Sequence, residues 1–233
     1  MRNVLAVVAV AAFATTASAQ AGGGMKGMAG MDEQKAVTQE GPTPAGWSIR
    51  PDKPANPTTS VNFVAMGPGM HVTSGNTAAI YWNPANTASG TYAISATFGV
   101  RSIPLHDAIG LIWGGNDLSG DKESYAYFLV YGNGTFAVKH RSGSGSTGGN
   151  SNPDVHTVVA QTPNAAIKAA PANGGAASNK LAVKVGADSV RFFVNDTQVA
   201  AVDAKNPMMP SSGIYGFRVN HGISVHVADL GKQ

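Results

Sequence analysis

From Trp47 onward the chain is a succession of short segments rich in β-branched and aromatic residues, separated by glycine, asparagine, proline and serine. This pattern predicts strands near 61–66, 69–73, 77–82, 91–100, 107–114, 124–131, 135–141, 155–160, 180–186, 189–194, 197–202, 213–219 and 223–229. Gly132-Asn133-Gly134 and Asn195-Asp196 each lie between two such segments and predict hairpin turns. Only 164–170 could form a turn or two of helix. Many short strands at close spacing indicate an all-β sandwich or barrel.

Composition narrows the function classes. The 233 residues include 16 basic and 13 acidic side chains, 43% are hydrophobic and 12% are charged. An average soluble protein has about 25% charged residues. We therefore expect no nucleic-acid partner, because the chain lacks the charge for a broad basic face. The length predicts one or two domains.

The first 19 residues are typical of a secretory signal peptide. A basic start is followed by an apolar run and by small residues at Ala17 and Ala19, before the expected cleavage at Gln20. The run is shorter than the roughly 20 residues that span a bilayer, and no second apolar span follows. With no cysteine, the chain forms no disulfides. We expect export to the bacterial periplasm or the extracellular space, with no transmembrane segment after cleavage.

Residues 20–46 are rich in glycine, alanine, methionine and proline, and they predict a disordered tail. Met25, Met28 and Met31 lie at intervals of three within it. Thioether sulfur is a soft ligand that suits Cu(I), so the segment is either a copper-handling run or a flexible linker that contains methionine.

Five runs carry a resemblance to a known superfamily: 110–115, 125–141, 179–185, 193–195 and 213–219. Together they resemble the concanavalin-like lectin and glucanase jelly roll. Among its members, they most resemble the bacterial secreted domains grouped with the three-keto-disaccharide hydrolases. The resemblance covers about 47–231. It implies a two-sheet antiparallel jelly-roll sandwich over 47–233, with sugar sites on the concave sheet or its rim loops.

Strand alternation divides each segment between two faces. In 124–131, Ala126, Phe128 and Val130 form one set, and the tyrosines lie opposite. Neighbouring segments place further polar residues on the tyrosine side. The predicted ligand-binding set is Tyr125, Tyr127, Lys139, Arg141, Arg218 and Asn220.

If these strands share a sheet, the set forms a solvent-exposed glycan platform. Aromatic rings stack on the apolar faces of sugars, while amide and cationic groups donate hydrogen bonds to hydroxyl or carboxylate oxygens. Exposed strands also carry tyrosine and basic residues simply to cover neighbouring surface and discourage edge pairing. We expect a glycan or polysaccharide ligand; the pattern gives no signal for an oligomeric state.

Catalysis has weaker support than binding. Glycoside hydrolysis needs two carboxylates close together, but Glu123 is the only glutamate after the tail. The sequence therefore favours a non-catalytic binding protein. The resemblance leaves a glycoside-acting hydrolase as an alternative, with His106 or His221 as rim histidines. A structural envelope or matrix protein is the third class.

Calcium is a further candidate ligand. Side-chain oxygens occur at alternate positions, as at the start of a calcium loop, on Asn116, Asp117, Ser119, Asp121 and Glu123. Lys122, however, occupies the position at which such a loop requires glycine. The candidates Asp117, Asp121 and Glu123 therefore fit either a calcium site or a solvated turn. His221 and His226 lie five residues apart, on opposite faces of a strand, which favours separate histidines over joint metal ligation.

Overall fold

The computed structural model describes residues 37–52, 60–143, 154–171 and 175–233. The predicted signal peptide and the Met25, Met28 and Met31 run lie outside these residues. The described chain forms fourteen strands: β1 (Ser48–Pro51), β2 (Val61–Met66), β3 (Gly69–Ser74), β4 (Ala79–Ser89), β5 (Tyr92–Ser102), β6 (Ala108–Asn116), β7 (Ser124–Tyr131), β8 (Thr135–Ser142), β9 (Asp154–Pro163), β10 (Ala177–Val185), β11 (Ser189–Val194), β12 (Thr197–Asp203), β13 (Ser212–Val219) and β14 (Ser224–Lys232).

The strands form two seven-stranded sheets. The first sheet has the order β1-β4-β13-β6-β7-β8-β9, and the second has the order β12-β11-β10-β5-β14-β3-β2. Every strand pair is antiparallel. The predicted all-β, two-sheet antiparallel sandwich is confirmed.

The core lies between the sheets and is built from the inward residues of both. Phe128 of the first sheet and Phe192 of the second have ring centroids 5.3 Å apart, and Trp113 lies 5.6 Å from the same Phe192 ring. Tyr81 and Phe217 stack at 4.8 Å. All five side chains are fully buried. Burial of large aromatic side chains supplies much of the free energy that holds the sheets together.

The turns follow the local sequence. Gly134 has φ +81°, while Asn195 and Asp196 have φ of +49° and +66°. Positive φ at both central residues is the type I′ geometry that matches the twist of antiparallel strands, so the hairpin predicted at Asn195-Asp196 is confirmed. Residues 164–170 form turns rather than a helix, including a bond from Ile167 N to Asn164 O at 3.1 Å.

Two parts of the first sheet differ from the prediction. The short edge strand β1 was missed; it ends at Pro51, a residue that sheets tolerate mainly at edges because it has no N–H. Strand β4 continues past 82 to Ser89 and contains a bulge: Ile214 pairs with Thr87, whereas Gly216, two residues on, pairs with Trp82.

Residues 37–46, which the sequence analysis placed in the tail, include contacts to β2. Gln39 accepts a hydrogen bond from Phe63 N at 2.9 Å, and Glu40 N donates to Asn62 Oδ1 at 3.1 Å. Gln39 and Glu40 are therefore attached to strand β2 by hydrogen bonds. None of the described residues form a helix that is long and apolar enough to cross a membrane.

Candidate functional site

The side of the first sheet that faces away from the core is called the outer face here. Alternation places a second buried cluster on it: Ile80, Trp82, Ala108, Ile112, Leu118, Tyr125, Tyr127, Leu129, Tyr131 and Ala137. The inward set of β7, Ala126, Phe128 and Val130, belongs to the core instead. The prediction that the tyrosines of β7 share a face opposite the core is confirmed.

The predicted solvent exposure of this face is wrong. Tyr125, Tyr127, Arg141 and Arg218 are only 1%, 5%, 5% and 6% exposed. The two tyrosine rings contact each other at 5.5 Å, and the Arg218 guanidinium lies 5.3 Å from the Tyr127 ring centroid. The rings and cations do converge, but they are packed against one another. Their assignment as ligand-binding residues stays a prediction.

Arg218 is held by a carboxylate from the first edge of the sheet. Its two terminal nitrogens donate to both oxygens of Asp52, with Nη1 to Oδ1 at 2.6 Å and Nη2 to Oδ2. Nη1 also lies 3.4 Å from the Tyr125 hydroxyl. A bidentate guanidinium–carboxylate pair fixes orientation as well as charge, so Arg218 is locked over the outer face.

Arg141 and Arg50 share a second carboxylate. Glu123, 1% exposed, accepts from Arg141 Nε at 2.8 Å and lies 3.1 Å from Arg50 Nε. Arg141 also donates to the Asp52 carbonyl at 2.9 Å. Arg50, Asp52, Glu123, Arg141 and Arg218 are called the arginine–carboxylate cluster below. Three guanidinium groups and two carboxylates leave it one formal positive charge in excess.

Burial and charge together set the protonation states. Burial by itself lowers the pKa of Arg218, but the Asp52 carboxylate and the Tyr125 phenol raise it, and the pKa ends well above its usual value. The pKa of Arg141 is raised in the same way, against burial, by Tyr125, Asp52 and Glu123. Burial raises the pKa of Tyr125. Both arginines are therefore cations and the tyrosine is a neutral phenol at physiological pH.

The other two predicted ligand residues are not members of the arginine–carboxylate cluster. Lys139 is half-buried on β8, opposite Tyr127. Asn220 follows β13 and bonds through its backbone N to Ala108 O at 3.0 Å. Its side-chain Oδ1 is buried, and among the described residues it has no hydrogen-bond partner. The six predicted residues therefore do not form one exposed groove.

The three calcium candidates have separate roles. Asp117, at φ +49°, accepts from Lys122 N at 2.9 Å and so closes its own turn. Glu123 belongs to the arginine–carboxylate cluster, while Asp121 is exposed. Within the described residues, these three carboxylates are therefore in different environments and do not converge on one cation position.

A groove opens beside the cluster, between β1 and the turn that links β6 to β7. It has a volume of about 520 Å³ and is lined by Ser48, Ile49, Arg50, Pro51, Trp82, Ser119 and Asp121. It is called the β1 groove below. Arg50 is fixed at its edge by donating to Leu118 O at 2.9 Å and Gly120 O at 2.7 Å. Sequence reasoning missed this site because it missed β1.

The fold defines a class: the described chain is a two-sheet antiparallel β-sandwich with a jelly-roll fold. Among solved structures it is similar to a carbohydrate-binding module, CBM66 from Bacillus subtilis, with TM-score 0.53 and 13% identity over 81% of this chain and 95% of that one. It is equally similar to a Bacillus subtilis protein of unknown function with a galectin-like fold, with TM-score 0.53 and 13% identity over 80% and 88% of the two chains.

A third similar structure is a GH16 protein of a Bacteroides ovatus mixed-linkage glucan locus, with TM-score 0.48 and 8% identity over 78% of this chain and 92% of that one. No protein-family model matches the chain, and no curated protein matches it either. At these identities the likeness establishes the fold alone.

Proposed function

We propose that this protein is an exported, non-catalytic carbohydrate-binding β-sandwich whose ligand binds in the β1 groove. Its signal-peptide-like start supports export. The single observation that carries the binding site is the groove's lining, which combines apolar side chains with hydroxyl, carboxylate and guanidinium groups at one edge of the sheet.

The lining matches the chemistry of a sugar. Half-buried Ile49 and Pro51 offer apolar surface for the C–H faces of a pyranose or furanose, whereas Trp82, which is 3% exposed, contributes little surface of its own. Exposed Ser119 and Asp121 and the partly exposed Arg50 offer hydrogen bonds to hydroxyl groups. The volume of about 520 Å³ lies within the usual range for small-ligand sites.

The arginine–carboxylate cluster positions this lining. Glu123 holds Arg50 at 3.1 Å and Arg141 at 2.8 Å, so the groove's cation is attached to the buried outer face. A preorganised donor loses little conformational entropy when a ligand arrives. In this proposal Tyr125, Tyr127, Arg141 and Arg218 support the site from beneath, and the groove side chains touch the sugar.

The test is a calorimetric titration of the full chain with neutral and acidic polysaccharides chosen from a glycan array. Asp121→Asn is expected to weaken binding at least tenfold, because hydrogen bonds to charged groups contribute about 1.5–3 kcal/mol. Absence of binding to every glycan, with and without calcium, would overturn the proposal.

A matched control lies in the turn between β10 and β11 of the second sheet. Asp188 is exposed and lines another groove, of about 440 Å³, with Lys184 and Arg191. Asp188→Asn removes the same charge without touching the β1 groove, so we expect unchanged affinity. The reverse pattern, with loss in Asp188→Asn alone, would move the binding site to the second sheet.

One observation favours the alternative, an enzyme acting on glycosides that resembles the three-keto-disaccharide hydrolases. His106 and His221 flank the buried carboxylate of Asp107 at one end of the sandwich. Half-exposed imidazoles beside a carboxylate suit proton transfer. Turnover of keto-glycosides by purified protein, abolished in His221→Ala, would establish this activity in place of simple binding.

A further inference from the structure

Three side chains from two connecting segments converge at one end of the first sheet. His106 and Asp107 immediately precede β6, and His221 lies in the turn between β13 and β14. Backbone bonds fix both segments: Asp107 N donates to Pro104 O at 3.0 Å, and Gly222 N donates to Gly75 O at 2.7 Å. Gly222, at φ +68°, provides the left-handed conformation that this turn requires.

One oxygen of the buried carboxylate at the centre has no hydrogen bond among the described residues. The Asp107 side chain is 2% exposed, and its Oδ2 lies 3.3 Å from His106 Nε2 and 3.1 Å from His221 Nδ1. Among the described residues, however, Oδ2 has no partner with hydrogen-bond geometry. Buried oxygens without partners are rare, and each needs an explanation.

Another histidine–aspartate pair in the same chain shows the ordinary arrangement. His156 Nε2 and Asp154 Oδ2 form a hydrogen bond of 2.7 Å at an exposed position. At Asp107 both imidazole nitrogens are farther away, and neither contact has hydrogen-bond geometry. One potential ligand atom from each of the three residues lies within 4.8 Å of the other two.

These separations fit a bound metal ion. A tetrahedral site with metal–nitrogen and metal–oxygen bonds of about 2.0–2.1 Å has ligand–ligand distances of about 3.3–3.4 Å. The observed 3.3 and 3.1 Å lie at or close to this value. Calcium is disfavoured because it takes six to eight oxygen ligands, whereas two imidazoles and a carboxylate suit a borderline divalent transition metal.

A second orphan oxygen lies at the same end of the sheet. Asn220 Oδ1 is buried and, within the described part of the chain, has no hydrogen-bond partner. Asn220 directly precedes His221, and its backbone N bonds to Ala108 O, next to Asp107. This end of the sheet therefore holds two buried acceptor oxygens, on Asp107 and Asn220, that have no hydrogen-bond partner among the described residues.

We propose that His106, Asp107 and His221 bind a divalent transition metal ion of the Zn²⁺ class. The side chains of His106 and His221 are 51% and 46% exposed, so the ion reaches the site from solvent and keeps a coordination position open to it. This site is separate from the proposed glycan groove. The two sites share no residue, and strands β4 and β13 lie between β1 and β6 in the sheet.

The test measures metal binding to the full, untagged chain. Calorimetry with Zn²⁺ is expected to give one site that Ca²⁺ and Mg²⁺ do not compete for. Co²⁺ in its place is expected to produce the strong visible absorption of a tetrahedral centre. His221→Ala and His106→Ala should each weaken Zn²⁺ binding at least tenfold, without loss of the folded far-ultraviolet spectrum.

His156→Ala and His226→Ala are the matched controls, since each removes a histidine from elsewhere on the sandwich, and both should bind Zn²⁺ as the parent chain does. Zn²⁺ binding that survives both His106→Ala and His221→Ala, or no Zn²⁺ binding by the parent chain, would overturn the proposal. Glycan titration of the same variants distinguishes the two proposals. A variant that loses Zn²⁺ binding but still binds glycan bears only on the metal site, and a variant that loses glycan binding but still binds Zn²⁺ bears only on the glycan groove.

Discussion

Glu123→Gln is expected to be strongly destabilising, because this carboxylate is the buried anion between two arginines. Glutamine keeps the shape of glutamate and can accept from one guanidinium through its oxygen. Its amide N–H groups then face the donors of the other guanidinium. Arg141 is 6% exposed and Glu123 1%, at 2.8 Å, so the pair has little access to solvent that would screen it.

The expected loss in the free energy of unfolding follows from that burial. Removing one partner of a buried ion pair costs about 3–5 kcal/mol, since the remaining charge stays in the interior. Arg50 is 15% exposed and Arg141 also contacts Asp52, so both cations keep some compensation. We therefore expect about 3 kcal/mol, a large share of the 5–15 kcal/mol that stabilises a typical domain.

The assay is equilibrium unfolding in urea, followed by the fluorescence of the three tryptophans. A lower midpoint with an unchanged m-value is the expected signature of lost native stability. Asp196→Asn is the matched control: its partner Lys180 lies 3.0 Å away, but the two side chains are 80% and 45% exposed. That exposed pair should contribute less than about 1 kcal/mol.

An equal effect of the two substitutions would refute the reasoning, because it would mean that burial adds nothing to the Glu123 interaction. A double-mutant cycle between Glu123→Gln and Arg141→Gln separates the pair from its surroundings. We expect a coupling free energy of about 1–3 kcal/mol for residues in direct contact. Additive effects would show that the two side chains stabilise the sandwich independently.

Three further outcomes follow from the structure. Burial, and after it the charge of His156, lowers the pKa of His140 from its usual 6.5, so the unfolded chain binds a proton here more readily than the folded chain does. The free energy of unfolding should therefore fall as pH drops below about 6.5. If the slope of this free energy against pH is the same in His140→Gln, the prediction is contradicted. Gly110→Ala should prevent stable folding, because its Cβ would overlap the Phe128 carbonyl, whereas Gly231→Ala has open space and should unfold like the parent chain in urea. Lys139→Ala should change glycan affinity less than twofold in calorimetry; a tenfold loss would place the sugar over the outer face instead.

Sequence reasoning located most strands because alternation is a local property. The segments 61–66, 124–131 and 189–194 match β2, β7 and β11 residue for residue. The strand β1 was not predicted because four residues are too few to show the two-residue alternation of a strand, and because proline is uncommon in strands. Arg50 and Asp52 were lost with it, although both belong to the arginine–carboxylate cluster.

The sequence of β6 could have predicted the burial of the outer face. Its first eight residues, 108–115, are buried at every position, and none of them is charged. A continuous apolar run is typical of a strand covered on both faces, whereas a half-exposed strand alternates with polar residues. Alternation in β7 gave the correct partition of Tyr125 and Phe128, but partition says only that two side chains point apart. It does not say which side meets water.

The pairing of Arg218 with Asp52 lay beyond sequence reasoning, since 166 positions separate them. This pairing also limits where a sugar could bind under the proposed function. To stack on Tyr127, a ligand would have to move the guanidinium that lies over that ring, and so break its bidentate contact with Asp52. Leaving that buried arginine without its anion costs several kcal/mol, more than one sugar–aromatic contact returns. The rim of the sheet, where Arg50 is anchored and Ser119 and Asp121 are exposed, offers hydrogen bonds without that cost, so ligand binding at the rim is favoured over binding at the centre of the face.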